Sequence, residues 1–376
     1  VTRGSAWRAR GPGLTLGSFR GIAFRIDTSW VLIFLLVAWS SAAYFPQALP
    51  GRLAPGGALL LGIAASAVLF ASIVAHELAH SLVALALGYE VRSITLFIFG
   101  GVSEIEDEPA SATDELAIAI SGPLMSLVVA GAMYVASLAL ASGGVGYVLL
   151  RYLAATNFAI AAFNLFPGFP LDGGRVLRAL FRATGDGLVA ATRKAALVGR
   201  VLGFTLVALG VATFLGGGWL SGAWLGLIGW FLKSSADASY RQVAFRAHAA
   251  ELRVGEVAER LVPLTPDESI ATALLEHGLL GGSTERYPVV AASDRVLGMV
   301  PLAALRAVPR ERWRDVKVSS VLEAMGPTVS PSVTLLDALE VMTEHELAEL
   351  PVVDAAGDYA GLVRLNDVVR IGLEAA

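Results

Sequence analysis

Apolar and polar positions are spaced along this chain on two different scales. Up to about residue 240 the apolar residues come in long runs, several close to the twenty needed to cross a bilayer as a helix. Beyond residue 252 the runs shrink to four or five residues set between charged ones, the scale of short strands and amphipathic helices in water. The long runs predict about six transmembrane helices, over residues 29–45, 56–87, 115–141, 147–166, 195–214 and 222–232, the last continuing to about 238. Residues 17–26 alternate enough to predict a short interfacial strand. Residues 89–104 are β-branched and aromatic, broken by Gly100 and Gly101, and too short to span. They predict a re-entrant β-hairpin, which is tolerated at membrane depth only where protein or a watery cavity covers it.

The short-period part repeats itself. Arg286-Tyr287-Pro288-Val289-Val290 followed by Leu297-Gly298-Met299-Val300 returns as Glu349-Leu350-Pro351-Val352-Val353 followed by Ala360-Gly361-Leu362-Val363. Each copy predicts a short helix, a strand, an amphipathic helix (269–277 and 334–345), then strand, turn, strand and helix. Two units this small are expected to pack as a pair. The chain thus divides into an N-terminal segment, 1–28, a six-span membrane domain, 29–240, and repeats over 252–310 and 316–374.

Charge orients the spans. Arg3, Arg8, Arg10, Arg20 and Arg25 precede the first run, and Arg175, Arg178, Arg182, Arg193 and Lys194 lie between the fourth and fifth. Lys233 and Arg241 follow the sixth. Positive charge gathers in cytoplasmic loops, so both termini are expected in the cytoplasm of a prokaryotic cell membrane. Residues 1–28 resemble neither a cleaved signal peptide nor a stable domain. The acidic patch Glu104, Glu106, Asp107 and Glu108 reads as a solvated loop.

A mean hydropathy of +0.66 with 16% charged residues agrees with an integral membrane protein. The net charge of −4 points to no nucleic-acid partner. With no cysteine, disulfides, thiol nucleophiles and thiolate metal sites are excluded. His, Asp and Glu remain as the strong ligands.

Against that background one stretch stands out, His76-Glu77-Leu78-Ala79-His80, inside the second run. On a helix, histidines four apart share a face and can hold one metal ion. Glu77 is then placed to take a proton from a water at that metal. Three ionisable residues at membrane depth are costly and need a reason to be there. Downstream, Asn164-Leu165-Phe166-Pro167-Gly168-Phe169-Pro170-Leu171-Asp172-Gly173-Gly174 breaks the fourth span with prolines and glycines. By local chemistry alone Asp172 is a turn residue.

The motif in a span, with Asn164 eight residues before Asp172, resembles the site-2 protease family of intramembrane zinc metalloproteases. The repeat resembles a pair of cystathionine-β-synthase-type (CBS) domains, which one branch of that family carries. The resemblance implies that His76, His80 and Asp172 bind one zinc ion per chain and that Glu77 is the catalytic base. It implies that Asn164 positions the substrate backbone or steadies the oxyanion, and that the 89–104 hairpin holds an unwound substrate segment. CBS pairs often bind adenine nucleotides. Asp367 falls at the usual ribose-binding Asp, whereas Arg364 stands where Ser or Thr is usual. The first repeat has Pro301 and Ala304 at these positions.

The expected function is cleavage of a transmembrane protein within the lipid bilayer, in regulated intramembrane proteolysis. The substrate would be a membrane-tethered transcription regulator or an anti-sigma factor. The CBS module would regulate from the cytoplasm or dimerise the chain. A CBS-gated channel or transporter is the alternative, against which stand the lack of an inverted repeat among the spans and the gathering of ionisable residues at one cluster.

Overall fold

The computed structural model describes residues 13–98, 100–105, 108–279 and 285–374. Arg3, Arg8, Arg10, Glu106 and Asp107 lie outside the described residues. The chain forms two compact units that meet in sequence at Tyr240 and Arg241.

In the first unit, strands β1 (Gly13–Phe19) and β2 (Ile22–Asp27) precede helices α1 (Trp30–Ala48) and α2 (Gly57–Ala86). The hairpin β3 (Val91–Phe97) and β4 (Gly100–Ile105) follows. Helices α3 (Ala112–Leu138), α4 (Val145–Asn164), α5 (Asp172–Ala183), α6 (Leu188–Leu215) and α7 (Trp219–Glu251) complete it, α7 running on into the second unit's residues.

Five of these helices, α1, α2, α3, α4 and α6, are long and apolar enough to cross a membrane. The sixth expected span opens α7, which continues for 33 residues and takes in Lys233, Asp237 and Arg241, well past the expected end at 238. The apolar stretch stops there, but nothing in the sequence stops the helix: no proline or glycine falls between Phe231 and Glu251.

The polar stretches before and between the spans are more ordered than the pattern predicts. The single strand expected over 17–26 is instead two, β1 and β2, joined by a turn in which Arg20 and Gly21 take positive φ. They belong to a four-stranded sheet ordered β1-β2-β3-β4, with β2 and β3 parallel and β3 and β4 antiparallel. The hairpin expected over 89–104 is therefore half of a larger sheet, and β4 is one of its two edges.

The basic loop after the fourth span holds α5, whose positive charge is largely inside: Arg178 is 3% exposed. Arg178 bonds Glu115 through Nε and Glu108 through Nη2 at 2.7 Å. Arg182 reaches Glu115 at 2.7 Å and the carbonyls of Pro109 and Ala110 at 3.0 and 2.9 Å. Glu115 is wholly buried at the first turn of α3. The acidic patch is accordingly not just a solvated loop: Glu108 is paired, and Glu104 accepts from the Ser93 hydroxyl at 2.9 Å.

The second unit holds α8 (Val254–Val257), then β5 (Arg286–Val290), β6 (Val296–Pro301), α9 (Leu302–Ala307) and β7 (Glu323–Ala324). The second repeat follows as α10 (Leu335–Glu344), β8 (Glu349–Val353), β9 (Tyr359–Arg364) and α11 (Leu365–Glu374). In the first repeat the expected amphipathic helix is a short π-type turn over 272–276. In the second it is the regular α10, started by a Thr334–Asp337 capping box. Each repeat has its own apolar core, one around Leu264, Leu274, Val289 and Leu305, the other around Leu335, Met342, Leu350 and Val363. Glu349 joins them, its carboxylate accepting the amides of Glu285 and Arg286 at 2.9 and 2.8 Å.

Candidate metal centre

Helix α2 presents His76 and His80 on one face, both 4% exposed. Asp172 arrives from far along the chain, as the first residue of α5. Its Oδ2 lies 3.1 Å from His76 Nε2 and 3.3 Å from His80 Nε2, and the two Nε2 atoms are 3.2 Å apart. Zinc bonds such donors at about 2.0–2.2 Å, which puts any two of them on a tetrahedron roughly 3.3–3.6 Å apart. The observed triangle is within a few tenths of an ångström of that, so the residues fit a zinc ion with a fourth position to spare.

The far side of each imidazole is also bonded. His80 Nδ1 is 2.7 Å from the Ile118 carbonyl, and His76 Nδ1 is 2.9 Å from the Ser126 hydroxyl. A carbonyl only accepts, so a neutral His80 carries its proton on Nδ1 and turns the Nε2 lone pair toward Asp172. His76 takes the matching tautomer when its Nδ1–H donates to the Ser126 oxygen, and three lone pairs then converge on one point, an arrangement that suits a cation.

Both supporting partners come from α3, which approaches α2 closely because of Gly122. A β-carbon at that position would overlap His80 Nε2 and stand 2.6 Å from His76 Nε2. The Glu108–Glu115–Arg178–Arg182 network ties α5, and with it Asp172, to the start of α3.

Glu77 follows His76 on α2 and lies against β4. Ser103 Oγ is 2.9 Å from Glu77 Oε2 and 3.1 Å from its carbonyl, and a β-carbon on Gly101 would run into the Glu77 side chain. Asn164 is the last residue of α4 and half-buried. The carbonyls of the next two residues, Leu165 and Phe166, abut Gly173, immediately after Asp172. Among the described residues no side-chain hydrogen bond joins Asn164 to His76, His80 or Asp172. Asp367 belongs to the second unit, where its carboxylate is 2.9 Å from Arg370 and 3.9 Å from Arg364.

The structure thus brings His76, His80 and Asp172 together with Glu77 beside them. Sequence reasoning missed Ser103, Ile118, Gly122, Ser126, Glu115 and Arg178. Only Gly122 and Ser126 left a trace, as small residues one turn apart in a span; the others depend on contacts made across the fold.

Residues 64–147 and 141–209 match Peptidase family M50, and residues 317–374 match the CBS domain. The chain is 33% identical over 367 residues to the zinc metalloprotease sll0528 of Synechocystis sp., covering 95% of this chain and 94% of that protein. It is 32% identical over 365 residues to the zinc metalloprotease Rip3 of Mycobacterium tuberculosis, covering 95% and 92%. Among solved structures it is similar to a site-2 protease from Methanocaldococcus jannaschii, with 28% identity, 61% of this chain and 95% of that chain covered, and a TM-score of 0.44. With near-full-length relatives above 30% identity and an M50 match that takes in most of α2, the chain belongs to peptidase family M50, the site-2 proteases, and is an integral-membrane zinc metallopeptidase with a C-terminal CBS domain.

Proposed function

We propose that this enzyme hydrolyses a peptide bond in a transmembrane segment of another membrane protein, with His76, His80 and Asp172 holding one zinc ion per chain. Zinc at such a site supplies a Lewis acid that acidifies water and polarises the scissile carbonyl. Glu77 takes the proton of the attacking water and returns it to the leaving amine. Asn164 donates a hydrogen bond to the oxygen on which negative charge develops. A peptide bond inside a helix is shielded by its own hydrogen bonds, so the segment is unwound first, and β4 offers an open edge on which it pairs as an added strand.

The observation that carries this reading is the triangle of three donor atoms 3.1–3.3 Å apart, with both imidazoles bonded on their far side. The substrate class is a single-span or hairpin protein, such as a membrane-tethered transcription regulator or an anti-sigma factor, cut in regulated intramembrane proteolysis. On this reading the chain crosses the membrane six times, the last at the start of α7, and both termini lie in the cytoplasm of a prokaryotic cell; the arginine-rich segments before the first span and after the fourth support it. The CBS module there regulates cleavage, by binding an adenine nucleotide near Asp367 or by pairing two chains.

The test uses the full-length enzyme in lipid vesicles with a single-span substrate. Glu77→Gln is expected to keep its zinc while cleavage falls roughly 10²–10⁴-fold. Near-wild-type cleavage by that variant would remove Glu77 from the mechanism.

A further inference from the structure

The hydroxyl between Glu77 and β4 has no part in holding metal. Ser103 has one proton and two acceptors in reach, Glu77 Oε2 at 2.9 Å and the Glu77 carbonyl at 3.1 Å, while Ser81 Oγ, a donor to it, lies at 3.2 Å. Ser81, wholly buried one turn along α2, can itself donate to the Glu77 carbonyl at 3.0 Å. That leaves the Ser103 proton for the carboxylate, where a charge-assisted bond is the stronger choice. Along β4 the side chains alternate: Val102 and Glu104 are exposed, whereas Gly101, Ser103 and Ile105 are half-buried, and both Gly101 and Ser103 touch Glu77.

We infer that Ser103 is a positioning residue for Glu77, through which the edge strand β4 sets the orientation of the proton acceptor. The inference rests on the reading of Glu77 as catalytic base. A glutamate side chain has three rotatable bonds, and only some of its rotamers aim an oxygen at the attacking water. Ser103 anchors Oε2, and Oε1 lies beside Gly101, 3.2 Å from where a β-carbon would stand there, so β4 holds the whole carboxylate in place. Because Ser103 sits in β4 itself, opposite Ile94 in the β3–β4 ladder, its hydroxyl is only as fixed as the strand. A segment pairing along the open edge of β4 orders that strand and so orders the base. Such an arrangement keeps the proton acceptor best aligned when an extended chain lies beside it, and less well aligned otherwise.

Steady-state cleavage of a single-span substrate by full-length enzyme in vesicles, together with the zinc content of each variant, tests this. Ser103→Ala is expected to lower kcat roughly tenfold, the loss of one hydrogen bond to a charged group, with KM and zinc content unchanged. Ser103→Thr, which keeps the hydroxyl and suits a strand, is expected to restore kcat to within about twofold. An unchanged kcat in Ser103→Ala would overturn the inference, as would a rise in KM alone, loss of zinc, or failure of threonine to rescue. Glu77→Gln, run alongside, separates the two levels. If it is inactive while Ser103→Ala is unaffected, only the positioning role fails; if it is active, the base assignment fails and the inference with it.

Discussion

Helix α5 carries two polar clusters into the first unit, and their difference separates a site from a brace. At its N-terminus Asp172 meets His76 and His80; two turns on, Arg178 and Arg182 meet Glu108 and Glu115. Both clusters lie largely out of water, where unpaired charge is expensive. The second is complete: two arginines face two glutamates, and the donors find carboxylate, carbonyl or hydroxyl acceptors. The first has no side-chain cation among its partners in the described residues, and with both imidazoles donating from Nδ1 to their partners on α3, two Nε2 lone pairs and a carboxylate converge on one point. A buried cluster that neutralises itself holds structure, whereas one with a surplus of acceptors is built for a cation.

The sharpest way to break that comparison is to remove one member from each cluster. Asp172→Ala is expected to lose zinc and to abolish detectable cleavage, measured as metal per chain and as product from a single-span substrate. Full zinc retention would return Asp172 to the role of a turn residue before Gly173 and Gly174. Glu115→Ala is expected to act differently, leaving Arg178 buried without its main partner. Removing one member of a buried pair costs about 3–5 kcal/mol, so thermal unfolding should shift markedly. The fraction that folds should still carry zinc. If Glu115→Ala instead lost zinc at unchanged stability, the brace would prove to be part of the site.

A weaker probe of the same cluster is Glu108, whose side chain is 37% exposed. Its bond with Arg178 is partly screened by water, and about 1 kcal/mol or less is expected to be lost in Glu108→Ala. Cleavage and zinc content should hardly change. A loss as large as that of Glu115→Ala would mean that the outer glutamate, not the buried one, anchors α5.

The same contrast explains how much could be read from the chain before folding. The His76–Glu77–His80 motif is local, since i and i+4 on a helix share a face whatever surrounds them, and long apolar runs announce helices just as directly. Asp172 was legible only through resemblance, because its own neighbourhood describes a turn. Arg178 and Arg182 looked like cytoplasmic loop charges, because their glutamate partners stand about seventy residues away and sequence spacing says nothing of such pairs. Ser103 and Ile118 were invisible for the same reason: one acts through a hydroxyl and the other through a backbone carbonyl, both set by tertiary contact. β1 escaped because Gly13, Gly17 and polar residues blur its alternation, while its pairing with β2 holds it in the sheet.

The smallest effect is expected in the second unit, where the comparison extends to a third cluster. Asp367 accepts from Arg370 at 2.9 Å and faces Arg364, which is itself paired with Glu259 at 2.9 Å. By the criterion above this cluster neutralises itself, as the brace does, so a ribose hydroxyl reaching Asp367 would have to displace Arg370. Weak binding of ATP or AMP is therefore expected, with a dissociation constant near the millimolar range, and Asp367→Ala should weaken it further. Arg370→Ala frees the carboxylate and should tighten binding a few-fold. A bound nucleotide changes the cleavage rate only if it binds one arrangement of the module better than another. Calorimetry on the full-length protein, followed by cleavage assays with and without nucleotide, reads each step. An absence of heat at millimolar ATP and AMP in both wild type and Arg370→Ala would withdraw the nucleotide and leave the module as a surface for pairing chains.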